Sequence, residues 1–492
     1  MRGALALRLI AVLALAGLTS ACLVGPDYAR PSAETPLAFK EAVSAAAPGW
    51  RLARPSEAVP RGDWWSVFRD PVLDGLIRAI DIDNQTLRQA VSRYEQARAV
   101  VQQARAQLFP TVIGAPSIRQ SDSGSEARTT LTLQGSASWE LDLFGRIRRQ
   151  IESGTASAQA SAAGLALVRL TLQAELATNY FQLRYQDSLR RLLDDTVAGY
   201  QRSLAITQNQ YAAGVAARSD VITAQTQLQT TQASAIAVEL RRATFAHAIA
   251  ILSGRPPSEI TLPRGQLAAR PPAVPASVPS ALLERRPDIA QAERLVQAQS
   301  AQIGVAVAAF YPSVSLSASG GLSGDPTAAL FAAENQFWSV TGAATEVLFD
   351  GGARAAALQA AQAAYEAAVA TYRQTVLTAF REVEDALSGV RILARQQVAQ
   401  QAAVGSATRA VEIALNEYRA GTQNYTTVVT AQAIELGNRV AALQIQAGRF
   451  TTALALIRVL GGGWDARSLP AQGELMGALL PIDQGPALHP DE

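Results

Sequence analysis

Thr130-Leu131-Thr132-Leu133-Gln134-Gly135-Ser136-Ala137-Ser138-Trp139-Glu140-Leu141-Asp142-Leu143 alternates apolar and polar side chains from end to end. Leu131, Leu133, Ala137, Trp139, Leu141 and Leu143 fall on one side, and Thr130, Thr132, Gln134, Ser136, Ser138, Glu140 and Asp142 on the other. A two-residue period is that of a β-strand with one greasy and one wet face. Residues 313–323 repeat it, with Val314, Leu316, Ala318 and Leu322 opposed by Ser313, Ser315, Ser317, Ser319 and Ser323. Strands are expected over about 128–143 and 313–323, each with its own partner strand, at 111–120 and 336–349 respectively, across polar loops at 121–127 and 324–334. The fourth alternates poorly, because Glu346 falls on the side of Trp338 and Val340.

A sheet resting on a soluble core shows the same alternation. Here no second sheet is available to cover it, and the flanking helices are needed for one another. If the apolar face meets lipid instead, the strands must close into a barrel, because open edges leave unpaired amides in hydrocarbon. Bacterial barrels use at least about eight strands, so four per chain require several copies. Two copies would make a barrel filled by its own side chains. Three is the smallest number that leaves an open polar lumen, and periodicity does not exclude four.

The chain also repeats itself at about 205 residues. Asn209-Gln210-Tyr211-Ala212-Ala213-Gly214-Val215 matches Asn416-Glu417-Tyr418-Arg419-Ala420-Gly421-Thr422, and Phe109-Pro110 matches Tyr311-Pro312. No proline occurs between Pro116 and Pro256 or between Pro326 and Pro470, and both windows are rich in Ala, Gln, Leu and Arg, which suit helices. Helices are expected over 147–211 and 353–419, each on the order of 100 Å long. Return helices follow from Asp220 to Leu252 and from Thr427 to Leu460, and shorter helices over 71–108 and 287–309 precede each strand pair. The prolines of 255–287 mark an irregular connector. The tail beyond Gly461 has no clear periodicity.

Residues 1–21 carry Arg2 and Arg8, an apolar run and small residues up to Cys22, which reads as a secretory signal ending at the chain's only cysteine. Its place suits signal cleavage and attachment of an N-acyl, S-diacylglycerol lipid; a lone buried thiol is the alternative. Removing 1–21 takes two arginines and no acid from a chain with 43 basic and 41 acidic side chains, so the two signs become equal. A neutral chain is unsuited to nucleic acid, which needs a basic face. Beyond the signal no stretch of eighteen apolar residues appears, which argues against a helical membrane protein. With only His247 and His489 and no spaced ligand cluster, neither catalysis nor a metal or other cofactor is expected. His247 reads as a packed helical residue.

These residues together resemble the TolC-like outer-membrane factor family, in particular its NodT-type efflux lipoproteins. Cys22-Leu23-Val24-Gly25-Pro26-Asp27-Tyr28 resembles the lipidated start, Asp63-Trp64-Trp65-Ser66-Val67-Phe68-Arg69-Asp70-Pro71-Val72-Leu73-Asp74-Gly75-Leu76-Ile77 the first-helix signature, and Arg286-Pro287-Asp288-Ile289 the start of the second half. The resemblance implies a mainly α fold with a small β part: long helical hairpins forming a trimeric α-barrel, plus four strands per chain in a 12-stranded transmembrane β-barrel. Its divisions would be a signal peptide (1–21), a lipidated extended segment (22–62), a first repeat (63–254), an equatorial connector (255–286), a second repeat (287–460) and an equatorial or disordered tail (461–492).

By the same resemblance the chain would be a homotrimeric channel in the outer-membrane lipid, extending into the periplasm. It would work with a periplasmic adaptor and an inner-membrane RND-type pump as a passive exit duct for drugs or other small toxic compounds. The tunnel would close at its periplasmic tip, around Gly214, Asp220, Gly421, Tyr425, Thr426 and Thr430. Relatives often carry Leu and Asp where this chain has Thr426 and Thr430, so cation preference at the gate should be weaker unless Asp220 supplies the charge; helix N-cap is the competing role for Asp220. A duct for type I protein secretion and a non-conducting coiled-coil lipoprotein are the other readings.

Overall fold

Helices with no proline for more than sixty residues run unbroken in the computed structural model of the chain, which describes residues 23–33, 39–41, 63–122, 124, 127–272, 285–324 and 330–476. A 3-10 turn at Trp64–Phe68 leads into α1 (Pro71–Asp83) and α2 (Gln85–Ala106). Strands β1 (Thr111–Asp122) and β2 (Ala127–Leu141) precede the helical hairpin of α3 (Arg146–Ala212) and α4 (Arg218–Leu252). The second half runs α5 (Pro287–Ala308), β3 (Ser313–Gly324), β4 (Gln336–Thr345), α6 (Ala353–Arg419) and α7 (Tyr425–Val459). The halves match in length: α2 and α5 have 22 residues each, α3 and α6 have 67, and α4 and α7 have 35.

Several boundaries differ from the sequence expectation, three of them here for a local reason. The helix expected over 71–108 is two helices, because Asn84 adopts extended backbone; its side chain accepts from Leu87 N at 2.9 Å and donates to Leu252 O at 2.7 Å. That exchange caps α2 while tying it to the end of α4. Strand β4 stops at Thr345, short of Glu346, which lies 3.6 Å from Arg354. The poor alternation therefore disappears. Strand β2 stops at Leu141, and Asp142 instead accepts from the amides of Ile147 and Arg148, both at 2.9 Å, at the start of α3. Of the tail expected to be equatorial or disordered, the described part, through Met476, is structured. It ends in α8 (Gln472–Met476), where Leu475 packs on Val101 and Ala158 and Gln102 donates to Leu475 O at 2.9 Å.

The strands form one antiparallel sheet in the order β1-β2-β3-β4. Register sets Ile118 beside Leu131 and Val112 beside Ala137, then Leu133 beside Leu322 and Trp139 beside Leu316, then Ala318 beside Val340 and Gly320 beside Trp338. Because neighbours across a ladder share a face, the apolar residues of all four strands make one continuous surface. Among the described residues every α-helix lies at one end of the sheet, and the two strand-joining connections lie at the other.

The main core sits midway along the helices. Trp64, Leu73, Ile77 and Ile80 pack on Leu176, Tyr180, Leu183, Ile249, Phe450 and Leu454, and buried Trp64 donates to Gln173 Oε1 at 3.1 Å. Tyr180 donates to Asp70, whose other carboxylate oxygen caps α1 through Val72 N at 3.0 Å. A second cluster joins Ile289 and Val296 of α5 to Val376, Val383 and Leu387 of α6. The connector is bonded down at this level: Arg184 donates to Pro263 O at 2.7 Å, and Asp187 accepts from Gly265 N at 3.0 Å and Arg242 Nε at 2.6 Å. By length and composition α7 is apolar enough to cross a membrane, yet it lies against α6 and α3 through Val428, Phe450 and Leu456.

An N-terminal strap, residues 23–33, descends from the foot of the sheet across both halves. Val24 N donates to Phe144 O at 3.3 Å, and Tyr28 donates to Glu293 Oε1 at 2.6 Å. Arg30 reaches the Tyr372 hydroxyl at 3.3 Å and Arg373 reaches Ser32 O at 3.2 Å. Gly25 has φ of +88° and lies so near Gly304 that a Cβ would come within 2.5 Å of the Gly304 Cα. The clasp is Arg149, 2% exposed, which donates to Val24 O, Gly25 O, Asp27 and Glu152. Arg149→Ala removes the hydrogen bonds of a buried guanidinium while Asp27, 89% exposed, returns to water, so unfolding free energy should fall by about 2 kcal/mol. Limited proteolysis should then cut within 23–33. Unaltered stability with an intact N-terminal segment would show that other contacts hold the strap.

Candidate functional site

At the end remote from the sheet, both hairpins turn by the same hydrogen-bond pattern. Ala213 N donates to Asn209 O and Gly214 N to Tyr211 O in the first; Ala420 N donates to Asn416 O and Gly421 N to Tyr418 O in the second. Gly214 and Gly421 have φ of +76° and +74°, and a Cβ at either would meet no atom within 4 Å. The need for glycine there is conformational and not steric.

Beyond these turns the halves diverge. Asn424 caps α7 by accepting from Thr427 N at 3.2 Å, whereas Ala217 holds the equivalent place before α4 and has no such side chain. Asp220 is therefore not the N-cap: α4 begins at Arg218, and Asp220 lies in its first turn, its amide donating to Ala217 O at 3.1 Å. A carboxylate there still faces the free amides of the helix start. Similarly α7 begins at Tyr425, two residues before the expected start, so Tyr425 and Thr426 are helical.

Tyr425 is 2% exposed, packed on Tyr418 with ring centroids 5.2 Å apart and on Ala224, Ala414 and Val428. Burial pushes the Tyr425 hydroxyl up to about 12, with Tyr418, Tyr200 and Asp220 adding to the rise. It therefore stays protonated through the physiological range. Thr426 and Thr430 are exposed and stacked one turn apart, with Thr430 Oγ1 donating to Thr426 O at 2.9 Å. Residues not singled out from the sequence tie the hairpins together. Gln210 donates to Tyr418 O at 3.3 Å, Gln432 to Ser203 Oγ at 2.9 Å, and the Tyr200 hydroxyl to Gln432 O at 3.4 Å. The available signal was Ser203 and Thr207, small polar residues one helical turn apart in an otherwise apolar seam.

At the sheet end, one face is polar. Thr132 Oγ1 lies 3.1 Å from Ser323 Oγ and Ser319 Oγ 2.9 Å from Ser339 Oγ across neighbouring strands. The other face is bare: Val112 is 74% exposed, Ile118 70%, Val340 71% and Trp338 82%. Exposed Phe109, Phe310, Tyr311 and Phe349 rim it at the helix end, and Phe331 and Trp338 toward the loop end. An uncovered apolar band with aromatic margins is what a membrane-facing barrel wall presents. Cys22 lies outside the described residues. Its neighbour Leu23 sits at the foot of the sheet, where a Cβ on Gly145 would come within 2.5 Å of its side chain. His247 is exposed on α4 and is not packed as expected. Among the described residues no three His, Cys, Asp or Glu side chains gather as metal ligands.

The family model described as outer membrane efflux protein matches residues 76–255 and 278–462. Over 474 residues the chain is 32% identical to the outer membrane protein OprJ of Pseudomonas aeruginosa, covering 94% of this chain and 97% of that one. It is 29% identical to the toluene efflux pump outer membrane protein TtgC of Pseudomonas putida, over 93% of this chain and 96% of the other. Its structure superposes on the outer-membrane channel OprN with a TM-score of 0.82 at 32% identity, covering 90% of this chain and all of that one. With both repeats matched by the family model and near full-length likeness to a solved channel, the chain belongs to the outer membrane efflux protein family.

Proposed function

We propose that three copies of this chain close into one tube, with a twelve-stranded barrel in the outer membrane and a helical tunnel through the periplasm. The observation that carries this is the sheet. Among the described residues its apolar face is continuous and uncovered, while β1 and β4 each have one unpaired edge. In hydrocarbon those edges must be paired, and β4 of one copy with β1 of the next supplies the partner. The polar Ser and Thr face then lines the lumen.

Helices of 67 residues carry that lumen about 100 Å from the sheet. The tube is a passive exit duct for small toxic compounds, a reading supported by relatives such as the toluene efflux component. An inner-membrane RND-type pump supplies the cargo, and a periplasmic adaptor acts at the tip formed by Gly214, Asp220, Gly421, Tyr425, Thr426 and Thr430. Opening requires the α6–α7 hairpin to part from α3, which breaks the Gln210–Tyr418 and Ser203–Gln432 hydrogen bonds. Cys22, one residue before the strap that ends at the sheet's foot, carries the N-acyl, S-diacylglycerol lipid and holds the chain at the membrane surface.

Purified full-length protein should run as a trimer and give small pores in planar bilayers, with conductance raised severalfold by Gln210→Ala combined with Gln432→Ala. A detergent-free soluble monomer without conductance would sink the reading. Leu133→Arg, on the apolar face, should cost about 2–4 kcal/mol in refolding into lipid, while Ser319→Arg, on the polar face, should leave refolding nearly unchanged. Equal costs on the two faces would contradict the assignment of lipid and lumen.

A further inference from the structure

The polar face of the sheet is nearly free of charge, and its charged side chains are unevenly placed. Three lie on this face. Glu140, near the helix end, is held by Arg146 through two hydrogen bonds of 3.0 and 2.9 Å. The other two, Arg119 of β1 and Arg128 of β2, stand at the loop end. Arg119 is registered opposite Thr130 and Arg128 opposite Ser121, so the two are diagonal neighbours on adjacent strands. Both are exposed, and neither makes an ion pair among the described residues. Like charges on one face of neighbouring strands repel, so the pair lowers stability unless an anion answers it.

Among the described residues, the acids near this end do not answer it. Asp122 is on the opposite face and accepts from Gly124 N at 2.8 Å, and Glu334 belongs to the 3-10 turn before β4. Glu126 and Asp325 come between the strands in the sequence and lie outside the described residues. At the far tip, the exposed stripe of α7 offers the hydroxyls of Thr426 and Thr430, and the carboxylate of the tip set is Asp220 in the first turn of α4.

We propose that Arg119 and Arg128 make the outer end of the lumen anion-selective, so that the duct favours cargo bearing carboxylate, sulfonate or phosphate groups. The proposal rests on the trimeric reading, which gathers six guanidiniums into one ring. A ring of like charge in a low-dielectric wall concentrates counter-ions and repels co-ions, and guanidinium forks bind oxyanions in bidentate fashion.

The test uses full-length trimer in planar bilayers, in the Gln210→Ala, Gln432→Ala background so that the tip is not the narrowest point. Three forms are compared: the parent, Arg119→Gln with Arg128→Gln, and Arg119→Glu with Arg128→Glu. Under a tenfold KCl gradient the parent should favour chloride, the glutamine pair should lose most of that preference, and the glutamate pair should reverse its sign. Inorganic tripolyphosphate added from the loop side should block the parent at least tenfold more potently than the glutamine pair, and more potently than from the helix side. Identical reversal potentials in the three forms, or block that ignores side and substitution, would overturn the proposal while leaving the channel intact. Trimers that never conduct would overturn the channel reading underneath it.

Discussion

A backbone amide removed from water must find an acceptor, and the outer edges of β1 and β4 have none among the described residues. That single requirement bears on every other part of the molecule. It makes the four strands of one chain a fragment of a wall, and it turns the uncovered band of Val112, Ile118, Trp338 and Val340 from a liability into a surface suited to acyl chains. Hydrophobic burial, the usual force behind a sheet, acts here outward. The core that holds the chain together lies instead among the helices, where Trp64, Tyr180 and Phe450 meet.

The duplication explains how so long a molecule keeps its ends level. Corresponding helices of the two halves have the same number of residues although few side chains are shared. Length is therefore held where sequence is not. A single inserted residue in α3 would rotate everything below it by about 100° and shift it by about 1.5 Å, which would take Gln210 out of reach of Tyr418. Arg149 and the strap act at the upper end in a comparable way, fastening first-half α3 to the second half through Glu293 and Tyr372.

Much of this was legible in the amino-acid order because the periods are long and clean. The strict alternation of 130–141 needs no context, and the proline-free stretches rich in Ala, Gln, Leu and Arg that follow each strand pair favour helix. Boundaries were harder. Asn84 resembles any helical polar residue until Leu252 O is beside it, and Glu346 spoils an alternation only if the strand is assumed to reach it. Asp220 was read as an N-cap on composition, although the match of Ala217 to Asn424 in the repeat already placed the cap three residues earlier. The ties between hairpins, Gln210 to Tyr418 and Gln432 to Ser203, join positions more than two hundred residues apart. No local pattern announces such pairs. As an outer-membrane efflux channel the protein puts its legible parts in walls and its illegible parts in joints.

The two turns at the tip, alike in backbone and level in height, carry a consequence for whatever touches them. A visiting protein that recognises one bend by its exposed carbonyls and glycine would find a near-replica beside it on the same chain, so the number of footholds is twice the number of subunits. The replicas are not equal, however: Tyr211 stands out from the first, 47% exposed, while its counterpart Tyr418 is tucked inside the second. A visitor could thus grip both bends yet pull only one of them away from the seam, and the direction of that pull is written into which tyrosine is hidden.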